Sequence, residues 1–350
     1  MTAKARCFKN GLFLLLFLAG ISSCSSSRKT LDYKSTFEGF SIEGAHSRAL
    51  FVINDVVVSA GKDGVISVHP LDSSYSQFAH QTEIDGMEDF RDLYCNQIGA
   101  CLFMNSGKLG ALWVIAPDGS KYDVFAMQDV FLDGMDFWGD EVGIVYGDPV
   151  DGKFFIAKTI NSGMTWNVLN SKQMPGALEN EGGFAASGTG LQTTGDSTVY
   201  FGTGLGSRAR LFCSYDQGES WIVKDTPMKS GDSFGIYSMY FWSESEGVVI
   251  GGSYLDSTYN KGICQYTADG GDSWSDRSKG LLGYCSCVQG TASGDLLIAT
   301  GRMGTFYSLN KGKSWKVFTE KSYYSCFVTA DHIVLSGRDG ILEIFEYDLK

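Results

Sequence analysis

Four octapeptides in this chain follow one pattern, Ser/Thr-x-Asp/Asn-x-Gly-x-Ser/Thr-Trp: Thr159–Trp166, Ser214–Trp221, Thr267–Trp274 and Ser308–Trp315. The pattern describes a hairpin turn. An Asx side chain (Asn161, Asp216, Asp269, Asn310) bonds nearby backbone, and a glycine (Gly163, Gly218, Gly271, Gly312) supplies the positive φ. A tryptophan (Trp166, Trp221, Trp274, Trp315) then packs the turn onto its sheet. A degenerate fifth copy reads Ala116-Pro117-Asp118-Gly119-Ser120. A turn repeated this often requires a fold that repeats the sheet beneath it.

Two further repeats agree. Phe137-Trp138-x4-Gly143-x3-Gly147 recurs as Phe241-Trp242-x4-Gly247-x3-Gly251. Gly-Lys/Arg-x-Gly precedes an alternating run at Gly61, Gly107, Gly301 and Gly337, where glycines turn the chain between the second and third strands of a unit. Inner strands are predicted to start near Arg48, Arg91, Gly134, Gly183, Tyr237, Tyr284 and Tyr324. The mean step of about 46 residues matches the ~40–50 of a propeller blade. The expected fold is therefore all-β, a seven-bladed β-propeller, with six or eight blades as alternatives. The last blade has room for three strands, Tyr324–Thr329, His332–Gly337 and Ile341–Tyr347. Ser35–Ile42, with Phe40 and Ile42 on one face, is expected to supply the fourth and close the ring. No stretch shows the sustained 3.6-residue period of a long helix.

Composition fits a single domain dense in turns, with 44 Gly and only 5 Pro among 350 residues. The formal charge of −12 excludes a nucleic-acid partner, since no basic stripe offers a phosphate footprint. Residues 1–23 read as a secretory signal: Lys4, Arg6 and Lys9, then the apolar run Gly11–Gly20, then Ile21-Ser22-Ser23 before Cys24. The arrangement resembles a bacterial lipoprotein signal, which makes Cys24 the acylated N-terminus and residues 24–32 a tether; an ordinary secretory signal is the alternative. Ser25 after that cysteine favours the outer membrane under the enterobacterial sorting rule. Residues 33–350 then form one propeller. Cleavage removes three of the 28 basic residues and none of the 40 acidic ones, so the mature chain carries about −15. Seven cysteines remain, an odd number without the spacing of a disulfide framework or a zinc site, and are expected to pack as small apolar residues. Cys95 and Cys101 flank a hairpin turn and are open to bridging. No metal is expected. No cofactor is expected either, because Gly202-Thr-Gly204-Leu-Gly206 lacks the following helix of a dinucleotide site.

The octapeptides resemble the Asp-box (BNR-type) repeat of β-propellers. With Phe137-Trp138…Gly147-Asp148-Pro149, Gly182–Ser187, Gly251-Gly252 and Gly283-Tyr284-x-Ser286-Cys287-Val288, nearly the whole mature chain resembles a group of Bacteroidetes propeller lipoproteins. These are often labelled "oxidoreductase" and are related to photosystem II assembly and stability factors. The resemblance implies a propeller fold and no established activity. Asp boxes lie on blade peripheries, so function is expected on the central face. Candidate residues there are Arg48, Arg91, Asp133, Glu181, Arg210, Tyr237, Tyr284 and Tyr324. Two functions are open. One is a non-catalytic binding or assembly propeller, monomeric by itself, that presents a face to a protein or glycan. The other is a sialidase-like glycoside hydrolase, which needs arginines, a Tyr–Glu pair and an Asp in one pocket. Against the second, His46-Ser-Arg48-Ala-Leu50 lacks the Arg-Ile-Pro motif of the sialidase first strand. If Cys24 is acylated, the wild-type protein is expected to take up a clickable palmitate analogue in growing cells and sediment with membranes. Cys24→Ser is expected to abolish the label and release the protein to the soluble fraction; equal labelling of both would refute acylation at this residue.

Overall fold

The computed structural model describes residues 29–39, 44–72, 74, 80–83, 89–170 and 173–350. The signal, Cys24, Phe40 and Ile42 lie outside the described residues. Seven antiparallel sheets of four strands make a seven-bladed β-propeller. The strand β1 (Leu31–Gly39) is held over for the last blade. Blade 1 comprises β2 (Ser47–Ile53), β3 (Val56–Gly61), β4 (Val65–Pro70) and β5 (His80–Glu83). Blade 2 comprises β6 (Phe90–Cys95), β7 (Cys101–Asn105), β8 (Leu109–Ile115) and β9 (Lys121–Gln128). Blade 3 comprises β10 (Leu132–Trp138), β11 (Val142–Val150), β12 (Lys153–Thr159) and β13 (Asn167–Val168). Blade 4 comprises β14 (Leu191–Thr194), β15 (Thr198–Gly202), β16 (Arg210–Ser214) and β17 (Ile222–Asp225). Blade 5 comprises β18 (Phe234–Phe241), β19 (Gly247–Ser253), β20 (Cys264–Thr267) and β21 (Ser275–Asp276). Blade 6 comprises β22 (Cys285–Gly290), β23 (Leu297–Gly301), β24 (Gly304–Ser308) and β25 (Lys316–Thr319). Blade 7 comprises β26 (Ser325–Val328), β27 (His332–Ser336), β28 (Leu342–Leu349) and, outermost, β1. Among the described residues there is no α-helix.

The ends of the chain meet in blade 7. β1 pairs with β28 from Leu31↔Leu349 to Gly39↔Leu342, about four residues earlier than the sequence suggested. Leu31 and Asp32, assigned to the tether, already belong to this strand. Tyr33 decides the register: its ring lies 4.2 Å from that of Phe318, and its hydroxyl donates to the Phe318 carbonyl at 2.8 Å. That anchor belongs to blade 6, so β1 also fastens blade 7 to its neighbour. The bonded pair leaves the ring no open seam.

Each junction between blades buries its own apolar cluster, seven in all. The four octapeptides staple four of these junctions from outside, their tryptophans packing into the clusters between blades 2 and 3, 3 and 4, 4 and 5, and 5 and 6. In each, the leading hydroxyl donates to the Asx side chain at 2.8–2.9 Å and accepts the glycine amide at 2.8–3.1 Å. The Asx oxygen also accepts the amide of the second Ser/Thr at 2.8–3.0 Å. The Ser273 hydroxyl, then the Ser273 amide and the Thr267 hydroxyl, hold the Asp269 carboxyl at about 2, below its ordinary value. Gly218 has φ 87°, and a Cβ there would stand 2.5 Å from Ile144 of the preceding blade. The glycine is thus required twice, by conformation and by contact. Trp221 is buried in the cluster between blades 3 and 4 and donates its indole N–H to Gly218 O at 2.9 Å. The degenerate copy occupies the same place in blade 2, with Ser120 N–H on Asp118 at 2.9 Å, but it has no tryptophan. Cys95 and Cys101, cross-strand partners in blade 2, form a disulfide.

Six inner strands begin within three residues of the expected positions; the fourth does not. Gly183 was expected to start blade 4, yet β14 begins at Leu191, eight residues later. The intervening glycine-rich run leaves the ring and enters the axial channel, as shown below. Trp221→Ala removes a buried indole from a blade junction and is expected to cost about 3–5 kcal/mol in denaturant unfolding. A loss below about 1 kcal/mol would contradict the stapling role.

Candidate functional site

The channel of this propeller is filled by its own backbone. The segment Gly182–Gly190 crosses it and touches five blades. Arg48 donates to Ala186 O at 3.5 Å and Arg91 to Ala185 O at 2.9 Å. Gly183 packs against Asp133, and a Cβ there would fall 2.6 Å from its carboxylate. Phe184 stacks on Tyr237 with ring centroids 3.7 Å apart, and Ser187 donates to Ser286 O at 2.8 Å. The strand geometry accounts for this convergence. Five of the seven inner strands shift register at the same height, and the extra residues are Arg48, Arg91, Asp133, Tyr237 and Ser286. A bulge releases one residue from the ladder and re-aims it, here toward the plug.

Above the plug lies a basin of about 400 Å³ at the face where the inner strands start. Arg48, Arg91, Arg302, Tyr237, Tyr284 and Tyr324 line it, with Ala185 and Ala186 as part of its floor. Arg48 stacks on Tyr324, its guanidinium carbon 4.1 Å from the ring centre. Arg91 pairs with Asp89 at 2.7 Å, and Arg302 donates to Tyr254 O at 2.9 Å. Burial, then the like charge of Arg91, pull the Arg48 guanidinium below its ordinary value. Burial raises the Asp89 carboxyl, and the two arginines temper that rise. The Nε atoms of Arg48 and Arg91 are buried without a hydrogen-bond partner. Among the described lining residues there is no carboxylate. The arrangement is therefore cationic, aromatic and short of acceptors, which suits an anionic group.

Of the sequence candidates, Arg48, Arg91, Tyr237, Tyr284 and Tyr324 meet in this basin. Three do not. Asp133 is covered by the plug at Gly183, 1% exposed, with neither carboxylate oxygen in a good hydrogen bond; the Ala185 amide leans toward it. Glu181 and Arg210 bond each other inside blade 4, Arg210 Nε to Glu181 Oε1 at 2.8 Å, with a second contact between Nη2 and Oε2. Arg210 also donates to Gly176 O at 2.9 Å and Thr203 to Glu181 at 2.6 Å, so this buried pair is spent on structure. Sequence reasoning missed Arg302. It sits in Gly301-Arg-Met-Gly304, one of the turns between second and third strands, and such turns reach the face where inner strands start. The Tyr–Glu pair that a sialidase needs has a counterpart in Tyr323 and Glu343, but the Tyr323 hydroxyl bonds Glu343 within the blade 6–7 core and Tyr323 is 2% exposed. The octapeptide hairpins lie between the third and fourth strands of their blades, and none of their residues lines the basin.

No family model and no curated protein sequence matches the chain. Among solved structures it is similar to the WD40 β-propeller domain of Doa1, with TM-score 0.63 and 11% identity over 90% of this chain and 97% of that one. It is also similar to the computationally designed Ika8 protein, with TM-score 0.54 and 13% identity over 88% of this chain and 98% of that one. At such identities the likeness shows the fold alone.

The carboxyls around the plug carry a testable charge cost. Burial raises Asp133 well above the ordinary carboxylate range, and Asp148 adds to the rise; burial likewise raises Asp92 and Asp136. A carboxyl raised on folding stabilises the fold below its ordinary value near 3.8, and that contribution is lost as pH climbs toward the raised value. Asp133→Asn is therefore expected to raise the unfolding midpoint relative to wild type at pH 8 and to change it little at pH 4. Equal shifts at both pH values would contradict a neutral Asp133.

Proposed function

We propose that this protein is a binding or assembly propeller, tethered to the outer membrane through Cys24, whose central basin takes an anionic group borne by a protein or glycan partner. The convergence of Arg48, Arg91 and Arg302 with tyrosines over the plug carries this reading. A basin of positive charge on a body of about −15 gives one face for an acidic group and discourages contact elsewhere. The four octapeptide hairpins support placement in the Asp-box class, and with it the resemblance to envelope lipoproteins.

A sialidase-like hydrolase is the second reading, favoured by the same three arginines. The described lining supplies the cationic grip but no acid, and Tyr323, which reaches the basin wall, is 2% exposed with its hydroxyl turned onto the buried Glu343, so binding without turnover is the better fit.

The test is crosslinking and pull-down from native membranes with wild type and Arg302→Glu. Arg302 stands at the basin rim, and its hydrogen bond to Tyr254 O does not hold the plug. Wild type is expected to recover a reproducible partner. The variant is expected to lose about 10–100-fold in affinity, the worth of one charge-assisted contact plus reversal of its charge, with its unfolding midpoint little changed. Equal recovery by both would reject the basin as the docking site. Turnover of a fluorogenic sialoside by wild type, lost in Arg91→Ala, would replace binding with hydrolysis.

A further inference from the structure

Below the plug, two cysteines from neighbouring blades meet at the channel wall. Cys287 lies on β22 and Cys326 on β26, and their Sγ atoms are 3.5 Å apart. Both are free and buried, Cys287 fully and Cys326 2% exposed. The Cys326 amide donates to Cys287 Sγ at 3.4 Å and the Thr189 hydroxyl donates to the same sulfur at 3.6 Å. Thr189 belongs to the plug, where its hydroxyl also bonds Ser187 and Ser238 at 2.7 and 2.6 Å. Cys287 thus sits in a ring of donors, an unusual surrounding for a cysteine that merely fills space. Cys264 of blade 5 and Cys285 of blade 6, both buried, have no comparable set, and burial raises both thiols.

We propose that Cys287 and Cys326 are a redox-active dithiol that a small peroxide converts into a disulfide joining the inner strands of blades 6 and 7. Bond formation requires the two sulfurs to close from 3.5 Å to about 2.05 Å. A second cavity of about 190 Å³ at the far end of the inner strands is lined by Cys326, Ser187, Thr189, Gln289 and Asp92, with Cys287 directly behind Cys326 and Thr189, so a peroxide reaches Cys287 past the Cys326 sulfur. That is room for several molecules the size of water, whose share of liquid volume is about 30 Å³.

The chemistry balances with peroxide as the oxidant. The Cys287 thiolate attacks one peroxide oxygen, the O–O bond breaks, and the departing hydroxide takes up the thiol proton to leave as water. Cys326 sulfur then displaces hydroxide from the Cys287 sulfenic acid, and that hydroxide leaves as water with the Cys326 proton. Two thiols lose two electrons to hydrogen peroxide and yield one disulfide and two waters. The local electrostatics set the order. Burial pushes the Cys287 thiol up, but the hydrogen bonds from Cys326, Thr189 and Ser187 outweigh it and bring it to about 7. Burial, and then Cys287 itself, raise Cys326, so Cys287 is the nucleophile and Cys326 the resolving thiol. The Asp92 carboxyl is within electrostatic reach, and its own rise under burial keeps it from opposing the thiolate with a full charge.

The experiment treats the intact, detergent-solubilised protein with a small excess of hydrogen peroxide, then alkylates it in denaturant and maps peptides without reduction. Free thiols among the described residues are expected to fall from five to three. A linked peptide pair joining Cys287 to Cys326, lighter by two hydrogens, should appear, and the unfolding midpoint should rise because the bridge constrains the unfolded chain. With Cys326→Ser, Cys287 is expected to accumulate as a sulfenic acid that dimedone traps, whereas Cys213→Ser should oxidise as wild type does. Should Cys326→Ser fail to fold, the wild-type peptide map still decides. Five alkylated thiols after peroxide, or a bridge that involves any other cysteine, would overturn the proposal.

Discussion

A ring of seven four-stranded sheets has an axis that side chains from the inner strands do not fill, and everything particular about this molecule follows from how that space is closed. The chain closes it with backbone. Gly182–Gly190 is narrow enough to thread the axis, and Gly188, at φ 75° and with a Cβ position 2.1 Å from Asp92, shows how little tolerance is left. Backbone in a buried channel needs partners for its carbonyls. Arg48 and Arg91 supply them at Ala185 and Ala186, and the bulges that aim both arginines also aim Asp133, Tyr237 and Ser286. Structure and site share these side chains: the arginines that hold the plug also line the basin it floors, with their Nε atoms buried and unpartnered.

How much was legible in the sequence follows from how local each feature is. The octapeptide hairpins declare themselves within eight residues because their bonds run between neighbours, as from Asp269 to Thr267 and Ser273. Blade number follows from spacing, and the Gly-x-x-Gly turns lie where the alternation placed them. The plug was misread because a ruler of about 46 residues assumes that every blade begins where its repeat does. The signal was present, however: Gly182, Gly183, Gly188 and Gly190 with two alanines between them have neither the alternation nor the bulk of an inner strand. Glu181 and Arg210 were misplaced for a different reason. Sequence places Glu181 just before the expected fourth inner strand and Arg210 later in the chain, but does not show that the two, 29 residues apart, turn toward each other.

Electrostatics divide the molecule by height. Above the plug, arginines outnumber acids and the basin is cationic; beneath it, Asp92 and Asp136 are buried and favoured neutral. The plug separates the two, with Ala185 and Ala186 facing the basin and Ser187 and Thr189 facing the cysteine pair. The basin above thus rests on the same short segment whose Thr189 hydroxyl reaches Cys287 below, so the proposed anion site and the thiol pair share one structural element.

Hydrogen–deuterium exchange of Gly182–Gly190 in the full-length protein tests the filled channel most directly. Protection close to that of the inner strands β18 and β22 is expected, because these amides and carbonyls are enclosed by five blades. Exchange within seconds, at the rate of an exposed loop, would contradict a packed plug and with it the floor of the basin.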